Sequence, residues 1–320
     1  MIKKIILIDS NTFPKNYVKN LKSKFKDLKL VIISYEDIGK LQNEIINANV
    51  LINCPRKIFN KKLVDKSKNL EWVHTSAAGV DEYLFSSFVK SNILFSNGKI
   101  LQGPEIADHG IGLLLSISRN IHYFIKNLKK NNMPRPIELN GKTCGIIGMG
   151  GIGMCLAERL KKFGMTIISI SEDLVPILSC IDEQHDSSEL LKLLPSFDVI
   201  FCAAPLTKDS NKMFNEVAFK KMKTGSIFIN VSRGELVDTN ALLKNDLYKK
   251  FKGIGLDVVE GEPLPKNHKL KKAKNVVLTE HVAGLSDNNR TRAYSLITKN
   301  IERFLKKKSL FNLVDKIKGY

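Results

Sequence analysis

Short apolar segments alternate along the first third of the chain with longer segments whose apolar residues recur at helical spacing. The apolar runs are rich in β-branched residues, and the segments between them carry lysine on their outer faces. This alternation is typical of βαβ units that build a parallel sheet. The pattern predicts strands at 4–9, 30–33, 50–53, 71–74 and 93–95, and helices at 15–26, 40–47, 60–68 and 81–89.

A second alternating series follows a long helical segment. Pro104 suits the first turn of a helix, and apolar residues on one face predict that this helix runs to about Lys130. The Asn- and Pro-rich segment 131–136 is then a loop. Two doubly wound α/β units are therefore expected, the second inserted into the first if the last helix folds back. The further strands are predicted at 143–147, 165–170, 198–202, 226–230, 253–257 and 275–278, and the last helix at 286–307.

The length and composition suit two compact domains, since the chain has 320 residues of which 43% are hydrophobic. No apolar run is long enough to span a membrane, and the first run ends at Asp9, as a buried strand does and a signal peptide does not. The five cysteines include no C-x-x-C pair, which favours reduced thiols in a cytoplasmic protein. The histidines lack metal-ligand spacing, so we expect no metal.

The net charge of +19 comes almost entirely from lysine spread along the whole sequence. No basic block is interleaved with aromatic residues, and no nucleic-acid recognition motif is present. We therefore expect solvated lysine on helix faces and neither nucleic acid nor membrane as a partner. The remaining consequence is a positive field that attracts small anionic substrates.

The sequence Gly148-Met149-Gly150-Gly151-Ile152-Gly153 follows an apolar strand and opens an amphipathic helix. This G-x-G-x-x-G spacing in a strand–turn–helix context predicts dinucleotide binding. The first glycine permits a tight turn, the second admits a pyrophosphate and the third lets helix and strand pack closely. The helix N-terminus, with Gly151 and Ile152, offers N–H groups to the phosphates.

The position that selects between NAD and NADP is atypical. An acid usually ends the second strand of such a sheet, where it binds the ribose hydroxyls. Here that position holds Ser171, followed by Glu172 and Asp173. Ser171 would not repel a 2′-phosphate, but no arginine follows to bind one. Both cofactors therefore stay possible at this stage.

Three later motifs, with the glycine turn, resemble the D-isomer-specific 2-hydroxyacid dehydrogenase family, which includes hydroxypyruvate and glyoxylate reductases and phosphoglycerate dehydrogenases. The resemblance covers essentially the whole chain, including Ala77–Asp81 and Pro205–Thr207. The chain departs from the family at Ser171 and at Asp108, where the family usually has glutamate before His109. The three motifs are Asn230–Asp238, Gly255–Pro265 and Leu278–Gly284.

The resemblance implies a Rossmann cofactor domain at 104–288, inserted into a flavodoxin-like substrate domain at 1–103 and 289–320. It further implies hydride exchange between NAD(P)H and a small 2-oxo acid, giving the D-2-hydroxy acid. A homodimer is also expected, with the helix from Pro104 on its two-fold face. The family's corepressor relatives, which sense NADH and bind partners with little or no turnover, suggest an alternative that a turnover assay distinguishes.

The chemistry explains the catalytic residues that the resemblance assigns. Arg233 can hold a carboxylate in bidentate fashion and never loses its charge. His281 is the proton donor in reduction, since an unperturbed imidazole titrates near neutrality. Glu262, bonded to that imidazole, would orient the ring and favour its charged form.

Further contacts are carried over from the family by position. The substrate carboxylate is expected at Ala78 and Gly79, together with Arg233 and His281. Loops at 53–57, 76–80 and 98–103 would read the rest of the substrate, and Arg56 is either in that cleft or solvated. The expected cofactor contacts beyond the glycine turn are Ser171, Pro205, Val231, Arg233, Asp257, His281 and Gly284. The histidines expected to be structural or exposed are His74, His109, His122, His185 and His268.

Overall fold

A computed structural model describes residues 3–9, 16–126, 133–172 and 179–320 of the chain. The chain divides into two compact units, the first formed by Met1–Leu101 with Ser286–Tyr320 and the second by Gln102–Leu285. Each unit contains one sheet in which every strand pair is parallel. No helix within the described ranges is long and apolar enough to cross a membrane.

The first unit is built on a five-stranded sheet in the order β2-β1-β3-β4-β5. Its strands are β1 (Lys4–Asp9), β2 (Lys29–Ser34), β3 (Val50–Ile52), β4 (Trp72–His74) and β5 (Leu94–Ser96). Its helices are α1 (Tyr17–Lys24), α2 (Leu41–Glu44), α3 (Lys61–Lys66), α4 (Ser86–Val89) and α12 (Asn289–Leu305).

Both faces of the first sheet are buried, which is why its strands appear in the sequence as continuous apolar runs. Along β1, Ile6 and Ile8 lie in one apolar cluster, whereas Ile5 and Leu7 lie in another. The second cluster is completed by Ile297 of α12. The last helix of the chain therefore covers a face of the sheet that the first strand helps to build.

The second unit is built on a seven-stranded sheet in the order β12-β11-β10-β9-β6-β7-β8. Its strands are β6 (Thr143–Ile147), β7 (Thr166–Ile170), β8 (Glu183–His185), β9 (Val199–Cys202), β10 (Ile227–Asn230), β11 (Gly253–Leu256) and β12 (Val276–Leu278). Its helices are α5 (Gly103–Ser118), α6 (Ile121–Ile125), α7 (Gly151–Lys162), α8 (Leu190–Leu193), α9 (Glu216–Lys221), α10 (Thr239–Leu243) and α11 (Lys269–Lys272). The strand order reverses between β6 and β9, and such a switch point is where doubly wound sheets bind ligands.

The prediction of two doubly wound parallel sheets is confirmed, and the strands lie close to the predicted apolar runs. The sequence pattern missed β8, because its residues Glu183-Gln184-His185 are polar and carry no apolar signal. Since β8 is the edge strand of its sheet, it pairs only with β7 and needs no apolar run.

The prediction of one continuous helix from Pro104 to Lys130 is wrong at Asn120. Helix α5 ends at Ser118, Asn120 adopts a left-handed conformation with φ of 60°, and α6 then begins. Asparagine tolerates this conformation, and its carboxamide Nδ2 donates to the Pro134 carbonyl oxygen at 2.5 Å. The last predicted residues, 127–130, lie outside the described residues.

His74 ends β4 and is fully buried, with Nδ1 2.8 Å from the Ser96 hydroxyl oxygen. Burial lowers the pKa of His74 from 6.5 to about 3. The folded protein therefore binds fewer protons here than the unfolded chain, so this contribution to stability is complete above pH 6.5 and is lost as the pH falls toward 3.

We expect His74→Gln to flatten the acid side of the stability profile. Between pH 6 and 4, the wild-type free energy of unfolding should fall more steeply than that of the variant, by up to about 1.4 kcal/mol per pH unit. Urea unfolding at a series of pH values measures both slopes. Equal slopes for the two proteins would contradict this role of His74.

Candidate active site

The residues expected to bind the cofactor follow the carboxyl ends of the strands in the second unit's sheet. In a parallel sheet these ends share one edge, where doubly wound proteins bind ligands. The structure thus brings together residues spread over more than a hundred positions. They are Gly148 after β6, Ser171 after β7, Pro205 after β9, Val231 after β10, Asp257 after β11 and His281 after β12.

Two glycines of the turn after β6 are required by close packing. Gly148 has φ of 97°, and a Cβ there would lie 2.6 Å from backbone atoms of Ala204. A Cβ on Gly153 would lie 2.2 Å from the Gly148 carbonyl oxygen. Both positions therefore exclude any larger side chain, and the turn is held tightly between β6 and α7.

The middle glycine of the G-x-G-x-x-G spacing, Gly150, leaves open space in front of the α7 N-terminus. Gly150 caps this helix, and a Cβ added there would meet no atom within 4 Å. The first-turn N–H groups, including those of Gly151 and Ile152, have no acceptor within the helix and lie at its positive end. An open cradle with free donors fits the pyrophosphate of a dinucleotide.

The end of β7 places Ser171 beside the edge strand β8, since its N–H donates to the His185 carbonyl oxygen at 3.1 Å. Glu172 is exposed, and Asp173 lies outside the described residues. Hydrogen bonds to Glu189 and Glu183 raise the pKa of the His185 imidazole. His185 therefore has two acidic partners in the fold, although the sequence indicated none.

Arg233 is held in a loop that packs against the segment after β11. The Asn230 carboxamide fixes this loop, because its Nδ2 donates to the Arg233 carbonyl oxygen at 2.7 Å and its Oδ1 accepts from the Ser232 N–H at 3.0 Å. A Cβ on Gly234 would lie 2.2 Å from the carbonyl carbon of Val259. This close approach brings the Arg233 loop alongside the segment that leads to Glu262.

Glu262 and His281 form the predicted pair, with the imidazole Nδ1 hydrogen-bonded to the carboxylate Oε1. The other oxygen, Oε2, accepts from the Val259 N–H at 3.2 Å, so the carboxylate is anchored to backbone. The side chains are 50% exposed for His281 and 37% for Glu262, so solvent screens their attraction. The pair therefore orients the ring more than it stabilises the fold, and Nε2 is the ring nitrogen on the opposite side.

The turn that carries His281 is built around the buried carboxylate of Asp257, which is 1% exposed. Its Oδ1 accepts from the Val282 N–H at 3.0 Å, and its Oδ2 accepts from the Ala283 N–H at 3.0 Å. The resemblance assigns Asp257 to the nicotinamide end, and in the structure its carboxylate is hydrogen-bonded within this turn. His281 itself has φ of 52° and donates its N–H to the Asp257 carbonyl oxygen at 2.8 Å.

Three residues around this turn were missed by the sequence interpretation. Gln102 donates Nε2 to the Gly284 carbonyl oxygen at 3.1 Å, and Thr279 donates its hydroxyl to Asp257 Oδ1 at 2.6 Å. His109 places Nε2 2.9 Å from the Thr279 hydroxyl oxygen. Only the position of His109 in the family's helix-opening motif offered a signal, and the sequence showed no partner for it.

Ala78 and Gly79 lie in the first unit, in the loop that follows β4. Asn97 donates Nδ2 to the Ala78 carbonyl oxygen at 2.6 Å, and the Ser76 N–H donates to Asn53 Oδ1 at 2.9 Å. Two carboxamides thus fix the path of the loop. Arg56, for which the sequence left two interpretations, forms an ion pair with Glu82 at 2.9 Å.

The three buried cysteines offer no reactive thiolate. Cys54, Cys144 and Cys202 are buried, and desolvation raises the pKa of the Cys202 thiol to about 11. Such thiols behave as small apolar side chains. Across the described ranges, no group of three or more His, Cys, Asp or Glu side chains is placed to hold a metal ion.

Comparison with known proteins identifies the family of this chain. The profile of the family described as "D-isomer specific 2-hydroxyacid dehydrogenase, NAD binding domain" matches residues 111–283. Glyoxylate reductase of Thermococcus litoralis is 34% identical over 292 residues, covering 87% of this chain and 87% of that protein. Glyoxylate reductase of Thermofilum pendens is 31% identical over 78% of this chain and 76% of its own length.

Solved structures agree with the fold. D-lactate dehydrogenase of Aquifex aeolicus, complexed with NAD and lactic acid, superposes with a TM-score of 0.76 at 27% identity, covering 97% of this chain and 99% of that one. A glyoxylate reductase from Paecilomyes thermophila, at 22% identity, shares the fold with a TM-score of 0.83 over 99% of each chain. With a matched NAD-binding profile over more than half its length and relatives above 30% identity, this chain belongs to the D-isomer specific 2-hydroxyacid dehydrogenase family.

Proposed function

We propose that this protein reduces a small 2-oxo acid of the glyoxylate or hydroxypyruvate class to the D-2-hydroxy acid, using NADH or NADPH. One observation carries the proposal. The Glu262–His281 pair and the loop of Arg233 lie at the same sheet edge as an open glycine cradle. The names of the reductases similar to this chain support the choice of substrate class.

The reaction needs a hydride at the carbonyl carbon and a proton at the carbonyl oxygen, and the bound nicotinamide supplies the hydride. The Arg233 guanidinium binds the substrate carboxylate and polarises the carbonyl, which its planar, permanently charged fork suits. The guanidinium thus holds the substrate for attack.

His281 gives its Nε2 proton to the developing alkoxide, because Nδ1 is engaged with Glu262 Oε1. The Glu262 carboxylate orients the ring through its hydrogen bond to Nδ1. After the transfer, the neutral imidazole keeps its Nδ1 proton on the glutamate side. Reprotonation from solvent is possible because the His281 side chain is 50% exposed.

A substrate panel tests this proposal. Purified protein is mixed with glyoxylate, hydroxypyruvate or phenylpyruvate and with NADH or NADPH, and the loss of reduced-nicotinamide absorbance is followed. We expect turnover with at least one of the two smaller acids, and the product should be the D-enantiomer on a chiral column. Tight NADH binding without turnover on any acid would instead favour the alternative, an NADH-sensing protein of the corepressor type.

We also propose that the chain forms a homodimer through the region of α5 and α6. Helix α6 exposes Ile121, Phe124 and Ile125, whose exposed fractions are 47%, 60% and 74%. A patch of this kind on so short a helix marks an interaction surface. Light scattering should give twice the chain mass for the wild type and one chain mass for Phe124→Lys with Ile125→Lys, while Phe163→Lys serves as a control. A monomeric wild type at working concentration would rule this out.

A further inference from the structure

The buried carboxylate of Asp257 is hydrogen-bonded mainly by neutral groups. A charge removed from water is costly unless it is paired or well hydrogen-bonded. Within the described ranges, the one basic side chain at ion-pair distance is the His109 imidazole, whose Nε2 lies 3.5 Å from Oδ1. The other donors are the two N–H groups of Val282 and Ala283 and the hydroxyl of Thr279.

The hydrogen bonds among His109, Thr279 and Asp257 form a network, and the direction of each follows from counting the available protons. An ionised carboxylate only accepts, so the single hydroxyl hydrogen of Thr279 must point to Asp257, 2.6 Å away. The Thr279 oxygen can then only accept from His109, whose Nε2 lies at 2.9 Å. His109 must therefore carry a proton on Nε2. The hydrogen-bond network runs from His109 through Thr279 to Asp257.

The hydrogen-bond network ends at the backbone that sets the position of His281. A non-glycine residue with positive φ is uncommon, and the left-handed conformation of His281 must be enforced by its surroundings. The Asp257 carboxylate holds the next two N–H groups, while Gln102 holds the carbonyl of Gly284. Gln102 is the N-cap of α5 and His109 lies in its second turn, so the N-terminal half of this helix secures the turn on two sides.

We propose that His109 and Thr279 are positioning residues for His281, acting through the Asp257 carboxylate. The hydroxyl of Thr279 fixes the rotation of this carboxylate, and His109 fixes the hydroxyl. Loss of either link frees Asp257 from the N–H groups of Val282 and Ala283, and His281 loses its alignment. The catalytic part of this inference rests on the proposed function, in which His281 donates the proton.

Thr279→Val and Thr279→Ser form a matched pair of variants, since valine keeps the β-branched shape without the hydroxyl and serine keeps the hydroxyl without the methyl group. Thr279→Val should lower kcat roughly 10- to 100-fold, because a small misplacement of an acid has effects of this size. KM and the Kd for NADH should change little, and the D2O solvent isotope effect on kcat should rise because proton donation becomes limiting. Thr279→Ser should behave as wild type, and His109→Phe should follow Thr279→Val.

Hydrogen exchange separates failure of this inference from failure of the proposed function. The N–H groups of Val282 and Ala283 should exchange faster in Thr279→Val and in His109→Phe, but not in Thr279→Ser. This readout needs no substrate, so a wild type without turnover would refute the proposed function and leave the inference decided by exchange alone. Wild-type exchange rates at both N–H groups in Thr279→Val and His109→Phe would overturn the proposed positioning role, even if kcat fell. Because the His109 side chain is 24% exposed, its variant provides the test if Thr279→Val does not fold.

Discussion

Replacement of His281 by alanine should lower kcat for 2-oxo acid reduction by about 10²- to 10⁴-fold, the usual contribution of a positioned general acid. The imidazole is the group that the Glu262 carboxylate orients, and its loss leaves the carbonyl oxygen without a nearby proton donor. Steady-state kinetics with saturating reduced cofactor measure the effect. The thermal midpoint should hardly change, because the side chain is 50% exposed and its screened ion pair contributes little to stability.

The control for this variant is cofactor binding, since the glycine cradle is intact in His281→Ala. Titration of intrinsic or NADH fluorescence should give a Kd for NADH close to that of the wild type. A variant that retains wild-type kcat would show that another residue donates the proton. A variant that fails to bind NADH would show instead that His281 serves the cofactor site.

Arg233→Lys should weaken transition-state binding by roughly 1.5–3 kcal/mol, which lowers kcat/KM about 10- to 150-fold. Lysine keeps the positive charge but lacks the planar fork that binds a carboxylate with two parallel hydrogen bonds. Most of the loss should appear in KM if the contact serves the ground state equally, and in kcat if it strengthens as the alkoxide forms.

A matched substitution on the surface distinguishes this effect from a general loss of arginine. Arg159 forms an ion pair with Asp108 whose side chains are 30% and 67% exposed, and pairs of this kind contribute little. Arg159→Lys should therefore leave kcat/KM unchanged. If Arg233→Lys is equally neutral, the substrate carboxylate is held by another residue.

Structure could be predicted from the sequence where a single physical requirement determines which residue type can occupy a position. Strands buried on both faces must be apolar along their whole length, so both sheets could be predicted. Gly148 and Gly153 leave no room for a Cβ, so the turn after β6 could be predicted as well. The edge strand β8 and the helix break at Asn120 could not be, because polar edge residues and a single left-handed asparagine have no periodic signal.

The residues around the His281 turn show a different limit. Thr279 lies 22 positions from Asp257 and 170 from His109 in sequence, and each alone has an ordinary local environment. Their importance follows only from hydrogen bonds made once α5, β11 and β12 have packed. The pairing of Glu262 with His281 could be predicted because a family resemblance named both residues. The residues that support the turn, Gln102, His109 and Thr279, could not be predicted in this way.

The last helix of the chain has a consequence for synthesis. Ile297 and Ile301 of α12 share an apolar cluster with Ile5, Leu7 and Trp72 of the first sheet. A ribosome therefore completes residues 102–285 before it makes the segment that covers this face. Throughout that interval the nascent first sheet carries uncovered apolar surface, the kind that chaperones bind, while the inserted unit folds as one continuous stretch. Early termination just before α12 should therefore yield an aggregation-prone product.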